Sequence, residues 1–197
     1  MTIKLEVLRR FDAKAWQTAH PLSPPGETTL ITWEEEPPSI DAGVPKAIQS
    51  ALAACLCELG VVVYAASAAV DELPVCAEVS IRKGFRTPPI RFHCAKSAAD
   101  LLPAFTDSKH DWTMSAQWLV VLEAAAGVGK IHALLEQLFG DWTLPEVLRP
   151  PVLMVIQAAV DGDGAACYSA NSRVQDQFLN ALERSADHAG IELTVQT

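Results

Sequence analysis

The chain has 197 residues, half of them hydrophobic, and a formal net charge of −9. An apolar share of that size buries a substantial core, and residues 1–197 read most simply as a single α/β domain. The acidity argues against general affinity for nucleic acid or for anionic membrane surfaces, both of which depend on concentrated positive charge.

No apolar run reaches the roughly 18 residues that suggest a membrane-spanning helix. The N-terminal stretch alternates apolar and polar residues and lacks the apolar block of a secretory signal, so a cytoplasmic location is the default expectation. Cys55, Cys57, Cys76, Cys94 and Cys167 cannot all pair within one chain, and each lies in an apolar segment; they read as reduced core residues.

Taken in order, residues 2–10 alternate as a first strand. A Pro-rich loop over residues 18–27 holds Pro21, Pro24, Pro25 and Gly26, whose backbone preferences oppose regular pairing. Residues 28–36 predict a second strand, ended by Pro37 and Pro38. Val44, Ile48, Leu52, Cys55, Leu56 and Leu59 fall on one stripe of a helix over residues 44–59, with Pro45 in its first turn and Gly60 just beyond its end. Residues 61–67, 75–81 and 88–94 are three strands with short connections, which suits an antiparallel meander. Ser97 and Asp100 have the spacing of a capping box, followed by Leu101, Leu102 and Phe105 facing inward from a short helix.

The last 81 residues, 117–197, carry a joint signal at almost every boundary. Residues 117–124 form a buried strand, broken by Gly127 and Gly129; Ile131, Leu134, Leu135, Leu138 and Phe139 then recur at helical spacing up to Gly140. Beyond Pro145, Pro150 and Pro151, residues 152–160 repeat the buried-strand signature, and the DGDG of residues 161–164 predicts a closing turn. Asn171 or Ser172 caps a further helix whose inner face holds Val174, Phe178, Ala181, Leu182 and Ser185. Gly190 ends it, and residues 191–195 alternate as a strand. Strands joined through helices usually lie parallel. The expected architecture is an α/β fold, with mixed α+β as its variant: one mixed sheet of about seven or eight strands covered by about four helices.

Chemistry is harder to find. Between Glu78 and Asp100 there is no acid, while Arg82, Lys83, Arg86, Arg91 and Lys96 supply five of the chain's fifteen cationic side chains. A hairpin there would display Phe85 among cations, and an arginine beside an aromatic ring is the composition of a protein-interface anchor. Its plainer reading is a solvated hairpin whose charges discourage edge pairing. Residues 124–131 lie between a strand and a helix, but Ala124 stands where a phosphate-binding loop needs its first glycine, and Ile131 where it needs Ser or Thr. Asp161 and Asp163 have oxygen-ligand spacing, yet Ala166 and Ser172 occupy the loop positions that calcium sites give to Gly and Glu. Cys55 and Cys57 are too close for a zinc knuckle, and His20, His93, His110, His132 and His188 are scattered outside any hydrolytic motif. Trp112, Trp118 and Trp142 read as core caps. No metal and no cofactor is expected.

By elimination, the sequence points to a non-catalytic, cytoplasmic protein-binding module of bacterial type: an adaptor, a secretion-system accessory or a toxin-neutralising protein. Its partner would be another protein, with a second copy of the chain also allowed, and Arg82, Lys83, Phe85, Arg86 and Arg91 would make the contact. The alternative is a small enzyme or ligand-binding domain with a pocket at the carboxyl ends of the central strands, lined by Glu123, Lys130, Asp161, Asp163 and Ser169.

Overall fold

Ile3, Leu5 and Val7 are buried along β1 (Thr2–Arg9) while Thr2, Glu6 and Leu8 between them face out, so the first strand already separates a core side of the sheet from an outer one. The computed structural model describes residues 2–9, 27–36, 44–66, 75–79, 90–106, 118–126, 131–136, 148–158 and 164–196. After β1 come β2 (Glu27–Glu36), α1 (Lys46–Leu59), β3 (Val61–Ala66), β4 (Val75–Val79), β5 (Ile90–Ala95), α2 (Ala98–Thr106) and β6 (Trp118–Leu122). Then follow α3 (helical residues 131–136), β7 (Val152–Ala158), β8 (Gly164–Ser169), α4 (Ser172–His188) and β9 (Glu192–Gln196).

The strands form a single mixed sheet of nine, in the order β4-β5-β3-β6-β7-β8-β2-β1-β9. Every neighbouring pair is antiparallel except β1 and β9, which run parallel with Leu5 beside Leu193 and Val7 beside Val195. The α/β expectation therefore holds, with more strands than the seven or eight expected. The additional strand is β8, whose GAACYS follows the expected turn and is buried throughout.

One expectation about strand direction and one about strand order are corrected. The strand before α3 and the strand after it, β6 and β7, are antiparallel neighbours, with Val120 opposite Val155. The chain leaves β6 at Leu122 and re-enters β7 at Val152 beside it, and the Glu123 N–H donates to the Pro151 carbonyl at 2.8 Å. The connection carrying α3 thus returns to the end it left, whereas a parallel crossover must travel the length of the sheet. The proposed meander is also rearranged: β5 lies between β3 and β4, which places β4 outermost.

Side-chain alternation divides the core in two. On one side, Leu5, Ile31, Val62, Leu119, Met154 and Cys167 of the sheet pack with Leu52, Leu56, Leu101, Phe178 and Leu182 of α1, α2 and α4. On the other, Val63, Phe92, Val120, Val155 and Tyr168 pack with Ile131 and Leu135 of α3. Burial of this kind stabilises by about 25 cal/mol for each Å² of apolar surface removed from water.

The helix ends follow the local sequence. In α2, the Ser97 N–H donates to Asp100 Oδ2 at 3.0 Å and the Asp100 N–H donates to Ser97 Oγ at 3.3 Å, completing the capping box. The Ser97 side chain, then the Lys96 N–H that donates to Asp100 Oδ2 at 3.2 Å, hold the Asp100 carboxyl below its ordinary pKa. In α4, the Val174 N–H donates to Asn171 Oδ1 at 3.0 Å. At the other end Gly190 has φ 69°. The Ile191 N–H reaches the Ala186 carbonyl and the Gly190 N–H the Asp187 carbonyl, the paired bonds of a Schellman stop.

Gln175 locks α4 to the sheet from a fully buried position. Its Nε2 donates to Thr29 Oγ1 at 2.9 Å and to the Thr28 carbonyl at 3.2 Å, and its Oε1 accepts from Arg9 Nε at 3.1 Å. The amide's donors and acceptor are thereby used across two elements, which is what makes a buried amide tolerable.

The chain's two tyrosines, Tyr64 and Tyr168, are both buried. Tyr64 Oη donates to the Asp100 carbonyl at 2.9 Å, and its ring lies 5.9 Å from that of His93. Burial, then the Asp100 charge, pushes the Tyr64 hydroxyl up to about 12; burial, then Cys167, does the same to Tyr168. A pKa raised by folding contributes stability below the unfolded value of about 10 and loses it as pH climbs through the folded value. Alkaline titration followed by near-ultraviolet absorbance should therefore show no tyrosinate at pH about 10, where a free phenol is half ionised. Ionisation should arrive near pH 12, together with loss of the far-ultraviolet helix signal. Ordinary half-ionisation at about 10 by either tyrosine in the folded chain would contradict this placement.

Candidate functional site

The outer side of β9, β1 and β2 is an open sheet surface. Register places side chains on it in rows across the strands: Glu192, Lys4 and Glu34; then Thr194, Glu6 and Thr32; then Gln196, Leu8 and Leu30. Glu6, Glu34, Glu192, Thr194 and Gln196 are exposed, and Leu8 keeps 37% of its surface accessible. Side chains directly opposite on neighbouring strands have Cβ atoms about 5 Å apart, so each row acts as one strip. Among the described side chains, the carboxylates of Glu6, Glu34 and Glu192 share this surface with the ammonium group of Lys4, which sits between Glu34 and Glu192.

The sequence produces the surface simply. Residues at even positions of β1 are polar except Leu8, and those at odd positions are the core residues Ile3, Leu5 and Val7 until Arg9 at its end. In β2 the inward residues Ile31 and Trp33 oppose Val7 and Leu5, which turns Leu30, Thr32 and Glu34 outward. β9 ends the sheet on this side, with no strand beyond it among the described residues. An outermost strand can offer unpaired backbone N–H and C=O groups, so among the described residues the exposed surface adjoins a sheet edge. Such a place suits recognition of a cationic, extended or sheet-like segment of another protein.

Of the residues expected to contact a partner, Arg82, Lys83, Phe85 and Arg86 lie outside the described residues. Arg91 is exposed on β5, in register with Glu78. Of the expected pocket, Lys130, Asp161 and Asp163 lie outside the described residues. Glu123 is exposed just past β6, whereas Ser169 is fully buried on β8, opposite Met154, with no hydrogen-bond partner for its hydroxyl among the described residues. Glu123 and Ser169 stand at the end of the sheet where β7 begins. Antiparallel pairing makes the carboxyl ends of neighbouring strands alternate between the two ends of the sheet.

An open cleft of about 280 Å³ between α1 and α4 is lined by Glu58, Leu59, Gln177, Asn180 and Arg184. The exposed Arg184–Glu58 ion pair spans it and latches the two helices. Exposed pairs of this sort contribute at most about 1 kcal/mol. Among the described residues no group of three His, Cys, Asp or Glu side chains is placed to hold a metal ion. No described helix is long and apolar enough to cross a membrane.

No protein-family model, curated protein or solved structure matches the chain.

The open surface was partly visible beforehand. Alternation in residues 2–10 and 28–36 identifies an outward polar side on each strand, but only pairing of the first strand with the last adds Glu192, Thr194 and Gln196 to it.

Proposed function

We propose that this chain is a non-catalytic protein-binding module that uses the outer surface of β9, β1 and β2 to hold a basic segment of a partner protein. The observation that carries this reading is the row Glu192, Lys4, Glu34 beside Glu6: an acidic strip on an exposed part of the sheet that reaches β9, the outermost described strand on that side. Carboxylates set there offer charge complementarity and orientation to a cationic partner, and the edge offers main-chain hydrogen bonds. An adaptor or a toxin-neutralising protein would use such a surface, and the net charge of −9 suits either.

The experiment begins with capture of the partner from the source cell's lysate, continues with its purification, and ends in a titration of the two purified proteins. Replacing Glu6 and Glu34 together with lysine leaves the core untouched and should weaken binding at least about tenfold, because like charges then meet across the contact. Parent affinity should fall as salt rises. A parallel variant with Arg82, Lys83, Phe85 and Arg86 all changed to alanine tests the basic segment. If the Glu6→Lys, Glu34→Lys chain binds as tightly as the parent, the acidic surface is not the contact; loss in the alanine variant alone would transfer it to residues 82–86.

A further inference from the structure

Cys76 and Cys94 are brought side by side by an irregularity in β4. Val75 pairs with His93 and Ala77 with Phe92, so Cys76 is the extra residue of a β-bulge. In a bulge two successive residues of one strand oppose a single residue of its neighbour, and the alternation of side chains is locally suspended. Cys76 consequently packs on the α3 side of the sheet, as Ala77, Phe92 and Cys94 do. There both side chains join one apolar cluster. The neighbouring thiol, then burial, raises the Cys76 thiol well above its ordinary pKa; the Cys76 thiol, and after it the Lys96 charge, lowers Cys94.

Access and contrast strengthen the case. Both thiols are partly exposed, and β4 is the last described strand on its side of the sheet. Cys55 and Cys167 are buried, and burial pushes both thiols up; Cys57 is pushed up to about 11 by burial, then by Asp100. Nucleophilic attack needs the thiolate and a path to it, and the partly exposed, lowered Cys94 thiol is favoured on both counts over Cys55, Cys57 and Cys167.

We propose that Cys76 and Cys94 form a redox-active dithiol that takes small-molecule disulfides as co-substrate and closes to a cross-strand disulfide between β4 and β5. Cys94 Sγ, as thiolate, attacks one sulfur of the disulfide RS–SR; the Cys94–SR bond forms, the S–S bond of RS–SR breaks, and the first thiolate leaves and takes up a proton. Cys76 then gives up its proton and its Sγ attacks Cys94 Sγ, forming the Cys76–Cys94 bond and expelling the second thiol. Two protein thiols are oxidised and one disulfide is reduced to two thiols. An excess of small thiol reverses both steps.

The test treats the reduced, full-length chain with oxidised glutathione under native conditions, quenches with acid, alkylates the remaining thiols and maps peptides by mass. The parent should lose two hydrogens, with the Cys76 and Cys94 peptides linked and Cys55, Cys57 and Cys167 alkylated. Cys76→Ser should retain a stable glutathione adduct on Cys94. Cys94→Ser should be modified at Cys76 at least about tenfold more slowly than the parent at Cys94, since its attacking thiolate is gone. A linkage between any other pair, a glutathione adduct persisting on the parent, or a native chain that stays unmodified while the urea-unfolded chain reacts would each overturn the proposal. These three outcomes are read on the parent alone, so a variant that fails to fold does not blur them.

Discussion

Replacing Gly60 with alanine should lower the stability of the chain by roughly 3 kcal/mol, the upper part of the range for forcing extra volume into a packed interior. A Cβ built on Gly60 would lie 2.0 Å from the Leu122 carbonyl oxygen and 3.1 Å from its carbon. Those are backbone atoms of β6, a strand held by hydrogen bonds to β3 and β7 on its two sides, so the obstacle cannot swing away as a side chain would. The backbone of Gly60 is extended, with φ 173°, so the cost comes from contact and not from an unusual conformation. Gly190 is the matched control. It has φ 69° and nothing within 4 Å of a Cβ, so Gly190→Ala meets only the left-handed penalty of about 1 kcal/mol. Thermal unfolding should show a fall of roughly 6–12 °C for Gly60→Ala, at 2–4 °C per kcal/mol for a chain of this length. Equal losses at the two glycines would mean that Leu122 is not where the fold places it.

The contrast between those glycines also shows what the sequence discloses. Gly190 is legible because a helix stop is a local event: Asn171, the stripe from Val174 to Leu182 and Gly190 all lie within one short stretch, and each has a single-element explanation. The Ser97 and Asp100 capping box is legible for the same reason. Gly60 looks like another stop signal, yet its tighter constraint comes from a strand far along the chain. β8 is the sharper case. GAACYS lacks the β-branched residues that announce a strand, because neighbours leave little room: a Cβ on Gly164 would lie 2.6 Å from the Ile31 carbonyl oxygen, and Ala165, Ala166 and Cys167 are fully buried between β2 and β7. Packing, not propensity, selects small residues there.

Strand direction and order were hidden for a related reason. Nothing local in residues 118–158 distinguishes a connection that returns to the end it left from one that crosses the sheet. Likewise the acidic surface requires β1 and β9, from opposite ends of the chain, to lie side by side. The dithiol depends on a single extra residue in β4; without the bulge, strict alternation from Ala77 would turn Cys76 away from the side that Phe92 and Cys94 share. The acidic surface is therefore assembled by a pairing that no window of sequence contains, and the dithiol by an irregularity inside a local strand pair, although the residues composing each were individually conspicuous as charges, cysteines or alternating strands.

Phe178→Ala should cost more than any other single truncation in α4, about 3–5 kcal/mol. Phe178 is fully buried in the core between α1, α4 and the sheet, among the largest side chains with no exposed surface. Its backbone carbonyl accepts a hydrogen bond from the Cys55 thiol at 3.6 Å, so the helix turn that presents the ring is itself tied to α1. That tie works against closure of the space a truncated ring would leave, because α4 is also held by Gln175 to β2 and by Arg184 to Glu58. A side chain removed from a site that cannot collapse loses its transfer energy and leaves a cavity as well. Phe178→Leu keeps most of the volume and should cost less than half as much. Urea unfolding monitored by circular dichroism distinguishes the two, with the midpoint falling for both and the slope unchanged. A loss of about 1 kcal/mol or less for Phe178→Ala would show that α1 and α4 can close over the gap, and would remove the premise that these helices are rigidly pinned to the sheet.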